Sequence, residues 1–129
     1  MARVVVWVPD LLFGSNVLGM LRAAGHEAML VPDAVRAGEE APGSDVLVVD
    51  LTADASARLA ELGGIALEGT RTLAFYSHVE ADVRTAAEAA GLDRVVPRSR
   101  MAREGRVEVV QQWGRPESVR QEFRRVRAQ

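Results

Sequence analysis

Asp50 closes the run Asp45-Val-Leu-Val-Val-Asp50, and its position makes it the first candidate for chemistry. Three of the four residues inside the run are β-branched, as expected of a strand covered on both faces in a parallel sheet. A carboxylate at the carboxyl end of such a strand lies on the edge where open α/β sheets gather their ligands. Three other segments should reach the same edge: Pro9-Asp10, Ser77-His78 and Pro97-Arg98-Ser99. Two carboxylates, hydroxyls and a guanidinium together suit oxyanion or phosphoryl chemistry, because hydroxyl and Arg donors can stabilise charge on a transferred group.

Composition removes several other chemistries. There is no cysteine, hence no disulfide, thiolate metal site or thiol nucleophile. All 16 basic residues are arginine, which excludes Schiff-base lysines and lysine phosphate clamps. At 129 residues, 48% hydrophobic and 26% charged, the chain fits one globular domain with a real core. No apolar run approaches the ~18 residues of a membrane helix, and the apolar start is too short for a signal peptide. A cytoplasmic protein is expected. The charge is uneven: residues 1–93 hold 6 Arg against 14 Asp and Glu, a balance of −8, whereas residues 94–129 hold 10 Arg against 4 Glu, a balance of +6.

The elements that must position these groups alternate. Strands are expected at Val4–Val8, Ala28–Val31, Val46–Asp50, Arg71–Tyr76 and Arg94–Val96. Helices are expected at Leu11–Ala24, near Ala34–Ala37, at Ala53–Leu62 and at Val79–Ala90, with Gly25, Gly63 and Gly91 as stops. Such βα units imply a doubly wound parallel sheet with right-handed crossovers, and the flavodoxin-like order 2-1-3-4-5 is the natural one for five strands. Beyond Pro97, Met101, Ala102, Val109, Val110 and Trp113 suggest one face of a fifth helix, weakened by Gly105. Residues 114–129 read as an extension: Gly114-Arg115-Pro116 breaks the chain, and an Arg-rich helix with a narrow stripe of Val119, Phe123 and Val126 follows.

Over roughly residues 1–112 the chain resembles the receiver domains of two-component response regulators. The resemblance rests on Val4–Val8 followed by Asp10, the end of the first helix at Ala23-Ala24-Gly25-His26-Glu27, the segment Asp45–Leu51, Leu73–His78, and Ala89–Ser99. It implies that Asp50 is the phosphoacceptor and that Ser77 is the hydroxyl which orients with the phosphoryl group. It also implies Mg²⁺, which receivers hold with an acidic pair at the end of strand 1. Here that pair is replaced by Val8 and Pro9, leaving Asp10 and Asp50 as a weakened Mg²⁺ site. The lysine–proline that receivers carry after strand 5 is replaced by Arg98-Ser99, and the aromatic switch residue by Val95. This combination is similar to pseudo-receivers, which keep the fold as a protein-binding module.

Each candidate also has a plainer role. Asp10 precedes an apolar helix and is a natural N-cap, while Thr52 and Asp54 are better caps for the third helix than Asp50. His78 beside Ser77 has no acidic partner nearby in sequence and reads as a loop histidine; His26 follows a helix-closing glycine and reads as structural. Ser15-Asn16 lacks the glycine-rich cradle of a phosphate loop, and Trp7 and Trp113 read as packing residues. The terminal arginines have no nucleic-acid-reading motif beside them, so a solvated face is expected.

The expectation is a stand-alone receiver-like signalling module of a bacterial pathway, not an enzyme beyond self-phosphoryl transfer onto Asp50. It would act through a signalling partner or a histidine kinase, with homodimerisation through the strand 4–strand 5 face, and without membrane or nucleic acid. Phosphorylation at Asp50 would be weakened or lost. One alternative is a working phosphoacceptor in which Asp10 and Arg98 replace the usual groups. Another is a flavodoxin-like small-molecule binder, although Pro9–Asn16 has neither a phosphate cradle, aromatic walls nor the Asp-x-His pattern of cobalamin sites.

Overall fold

Alternating burial along the strands produces two apolar layers around one sheet. A computed structural model describes residues 1–77 and 80–113. The order is β1 (Arg3–Trp7), α1 (Leu11–Ala23), β2 (Glu27–Val31), α2 (Ala34–Glu40), β3 (Val46–Asp50), α3 (Ala55–Leu62), β4 (Arg71–Tyr76), α4 (Ala81–Ala89), β5 (Arg94–Pro97) and α5 (Arg98–Trp113). The five strands pair in parallel in the order β2-β1-β3-β4-β5, the flavodoxin-like arrangement expected.

Along β1 and just beyond it, Val4, Val6 and Val8 join a core with Phe13, Val17 and Leu21 of α1 and Met101 and Val109 of α5. Val5 and Trp7 face the other way, into a core with Ala37 of α2, Leu62 of α3 and Ala87 of α4. This is the two-sided coverage that makes central parallel strands near-continuously apolar; all five residues of β3 and all six of β4 are buried, the polar ones being Asp50, Arg71 and Thr72 at the strand ends. Among the described residues no helix is long and apolar enough to cross a membrane.

The fifth helix differs from its sequence reading. Its buried face is Met101, Gly105, Glu108, Val109 and Gln112, while Ala102 and Val110 are exposed. Gly105 lies on this face: a Cβ there would be 2.9 Å from Met101 Cε of the same helix and 3.1 Å from Met20 Cε of α1, the movable ends of two methionines. A kink at Glu104 (φ −130°, ψ 20°) accompanies it. Glu108 is completely buried and is clamped by Arg94 Nε at 3.0 Å and Arg100 Nε at 2.8 Å, fastening α5 to the start of β5. Burial alone would push the Glu108 carboxyl up; the hydrogen bonds and charges of Arg94 and Arg100 outweigh it and hold it below the ordinary range.

Candidate functional site

The carboxyl ends of β1, β3, β4 and β5 deliver the groups named above. Asp50 ends β3 and is 6% exposed. Its Oδ1 accepts hydrogen bonds from the Thr52 backbone N–H at 2.8 Å and from Thr52 Oγ1 at 2.5 Å. Such an Asx-type turn explains why the chain leaves the sheet sharply here. Leu51 N–H donates to the Phe75 carbonyl at 2.8 Å, continuing the β3–β4 ladder one residue past the strand. Asp54 then adopts a left-handed conformation (φ 52°) as the N-cap position of α3, without a side-chain cap bond. The sequence offered Thr52 and Asp54 as caps; Thr52 instead turns back to Asp50.

A residue with no assigned role in the sequence reading completes this loop. Arg58 reaches from α3 to donate from Nη1 to the Asp50 carbonyl at 3.1 Å, and its guanidinium carbon lies 4.8 Å from the Trp7 ring centroid. The only sequence signal for it is an arginine in the first turns of the helix after Asp50.

Asp10 is the N-cap of α1. Its Oδ1 accepts from the N–H groups of Leu12 and Phe13 at 3.1 and 3.2 Å, while Oδ2 receives Arg98 Nη2 at 3.4 Å. Arg98 was expected where strand 5 ends; the strand closes at Pro97, and Arg98 is the first residue of α5. Its guanidinium carbon sits 4.3 Å from the Phe13 ring, and that ring packs on Phe75 at 5.0 Å. Phe13, Thr52, Ser77, Arg98, Ser99 and Ala102 line an open depression of about 600 Å³. Ser77 and Arg98 are thus brought to one cavity with Thr52, the hydrogen-bond partner of Asp50. His78 lies outside the described residues.

The donor set does not fit Mg²⁺. The ion needs near-octahedral oxygen ligation, usually from free carboxylates beside a phosphate. Val8 is buried, and neither it nor Pro9 carries a side-chain oxygen. Both oxygens of Asp10 are engaged, one by the cap and one by a guanidinium. Among the described residues no three His, Cys, Asp or Glu converge on a point that could hold a metal.

The sequence matches no protein-family model and no curated protein. Solved structures are similar in fold. The receiver domain of a Francisella response regulator superposes with a TM-score of 0.74 at 16% identity, over 89% of this chain and 98% of that one. A Thermotoga maritima response regulator gives 0.76 at 14% identity, over 88% and 98%. The receiver domain of a Pseudomonas aeruginosa sensor histidine kinase, with magnesium in its active-site cleft, gives 0.70 at 17%, again over 88% and 98%. The chain therefore has the fold of a response-regulator receiver domain.

Proposed function

We propose that this chain is a receiver-like signalling module which acts through protein contacts and in which phosphorylation of Asp50 is weakened or lost. The observation that carries this reading is the engagement of Asp10 by the α1 cap and by Arg98. Together with Val8 and Pro9, it removes the carboxylates that would hold a metal against a phosphoryl group on Asp50. What remains is a receiver scaffold with a carboxylate tied to Thr52. Its partner in this reading is another signalling protein or a histidine kinase, and no catalytic turnover is involved.

A second reading is favoured by one feature. Thr52, Ser77 and Arg98 line a common depression, so hydroxyl and guanidinium donors are available to a phosphoryl group if Asp50 accepts one. Incubation with Mg²⁺ and a small phosphodonor, followed by intact mass measurement, separates the two. The first reading expects no adduct, or a trace. An adduct of one phosphoryl group per chain, absent from Asp50→Asn, would establish the second and overturn the first.

A further inference from the structure

His26 stands in the turn between α1 and β2, at the amino edge of the sheet opposite Asp50, and is 8% exposed. Three separate parts of the chain meet on it. The first is the start of β1: Ala2 N–H donates to His26 Nδ1 at 3.1 Å, and Glu27 N–H donates back to the Ala2 carbonyl at 2.9 Å. The second is α1, whose Leu21 carbonyl accepts from the His26 backbone N–H at 3.1 Å. The third is the last turn of α5, where the Trp113 ring meets the imidazole edge-on with centroids 6.4 Å apart. Beside them lies an apolar groove of about 470 Å³, bordered by Met1, His26, Arg106 and Trp113.

We propose that His26 is a proton-operated latch: when its imidazole gains a second proton, the start of β1 and the last turn of α5 come free together. An imidazolium carries N–H on both ring nitrogens, so Nδ1 can no longer accept from Ala2. Two donors then face each other, and the N–H of the buried Ala2 loses its acceptor. The charged groups of the surrounding elements do not offset this. The Met1 amino group precedes β1, and Arg106 borders the groove from α5. Arg22, in the last turn of α1, is spent on the Ala28 carbonyl, and Arg3 of β1 pairs with Glu40. Glu27, the first residue of β2, is exposed, and among the described residues no carboxylate pairs with the ring. Release stays local because both neighbours are held further in. From Arg3 onward β1 is paired with β2, and the buried Val109 and the Glu108 clamp fix α5 one turn before Trp113.

Amide exchange of the full chain, read by NMR from pH 7 to pH 5 and corrected for the intrinsic pH dependence of exchange, tests the latch. At pH 7 Glu27 and residues 110–113 should exchange at least about tenfold slower than a random coil. As the His26 ring titrates in the same sample, they should come to within about threefold of the coil rate. The β3 amides should remain at least about a hundredfold protected throughout. His26→Gln keeps an acceptor for Ala2 but cannot titrate, and should hold its pH 7 protection at pH 5. Protection that persists through the ring's titration, or that is lost together with that of β3, would overturn the proposal. So would the same loss in His26→Gln. Should that variant not fold, the unmodified chain still decides: a loss of protection that does not follow the His26 ring assigns the opening to another group.

Discussion

Asp10 and Arg98, 88 residues apart in the chain, meet at 3.4 Å and join the start of α1 to the start of α5 across the mouth of the candidate site. The two ends of this contact are held differently. Asp10 is fixed by two backbone N–H groups, whereas Arg98 leans on the Phe13 ring. Because the side chains are 49% and 46% exposed, the ion pair itself is a surface contact.

Substitutions at Asp10 should therefore separate cap from charge. Asp10→Asn keeps an oxygen for the Leu12 and Phe13 amides and should cost under about 1 kcal/mol. Asp10→Ala removes the cap as well and should cost about 1–2 kcal/mol. Urea unfolding of the two variants checks the order; equal losses would show that the ion pair, not the cap, is the stabilising element.

Glu108 should be much less forgiving. Glu108→Gln leaves Arg94 and Arg100 without their shared anion and should destabilise by about 2 kcal/mol at neutral pH. The carboxyl is held below its ordinary value of 4.5 in the folded chain. Its contribution is thus fully present above that value and is lost as pH falls through the lowered folded pKa. Unfolding free energies measured from pH 7 to pH 3 should show the wild-type advantage over Glu108→Gln shrinking only below about pH 4.5.

His26 should show a pH dependence in a higher range. Burial, with the nearby amino terminus second, lowers its pKa from 6.5, and its Nδ1 must be unprotonated to accept from Ala2. The unfolded chain then takes up the proton first, so stability should fall as pH drops from 6.5 to the lowered folded value and level off below it. An NMR titration of the His26 ring should place its midpoint below 6.5. A midpoint above 6.5 would contradict the buried neutral imidazole.

Two glycines inside helices should respond differently to alanine. At Gly105 the new Cβ meets only the flexible ends of Met101 and Met20, and alanine gains about 1 kcal/mol in helix propensity. Gly105→Ala should be neutral to within about 1 kcal/mol. At Gly14 the Cβ would meet Leu30 Cδ1 at 2.8 Å and also Val8 Cβ and the Val8 carbonyl oxygen at 3.4 Å. The Val8 contacts are ordinary van der Waals distances. The branched Leu30, however, packs against the core and has fewer ways to retreat than two unbranched methionines, so Gly14→Ala should be the costlier change by about 1 kcal/mol. Thermal unfolding of both variants would expose a reversed order.

The sheet was legible because burial on both faces writes itself into composition: β3 and β4 run over Val46–Asp50 and Arg71–Tyr76, the bounds expected of them. Helix starts were less legible. The expected third and fourth helices begin two residues late, at Ala55 and Ala81, because Thr52 turns back on Asp50 and the Glu80 amide bonds to the Ser77 carbonyl before α4 opens. The face of α5 was legible at Met101, Val109 and Trp113 but not at Ala102 and Val110, which are exposed. Its other buried positions are a glycine, a glutamate and a glutamine, which hydrophobic periodicity cannot detect. At the site, Asp10 could be read as a cap from its neighbours, but its contact with Arg98 depends on a crossing of α1 and α5 that no local pattern encodes. Arg58 was invisible for the same reason: its partners, Trp7 and the Asp50 carbonyl, lie on separate strands.

The placement of Trp7 and Trp113, the two tryptophans of the chain, has an optical consequence. Trp7 is buried beneath the guanidinium that also holds the Asp50 carbonyl, so any rearrangement of that loop changes the indole's electrostatic surroundings and its emission. Trp113 stands at the opposite edge, beside His26 and the apolar groove. Replacing either one with phenylalanine leaves a single intrinsic fluorophore, and events at the two edges of the sheet can then be followed separately without a label.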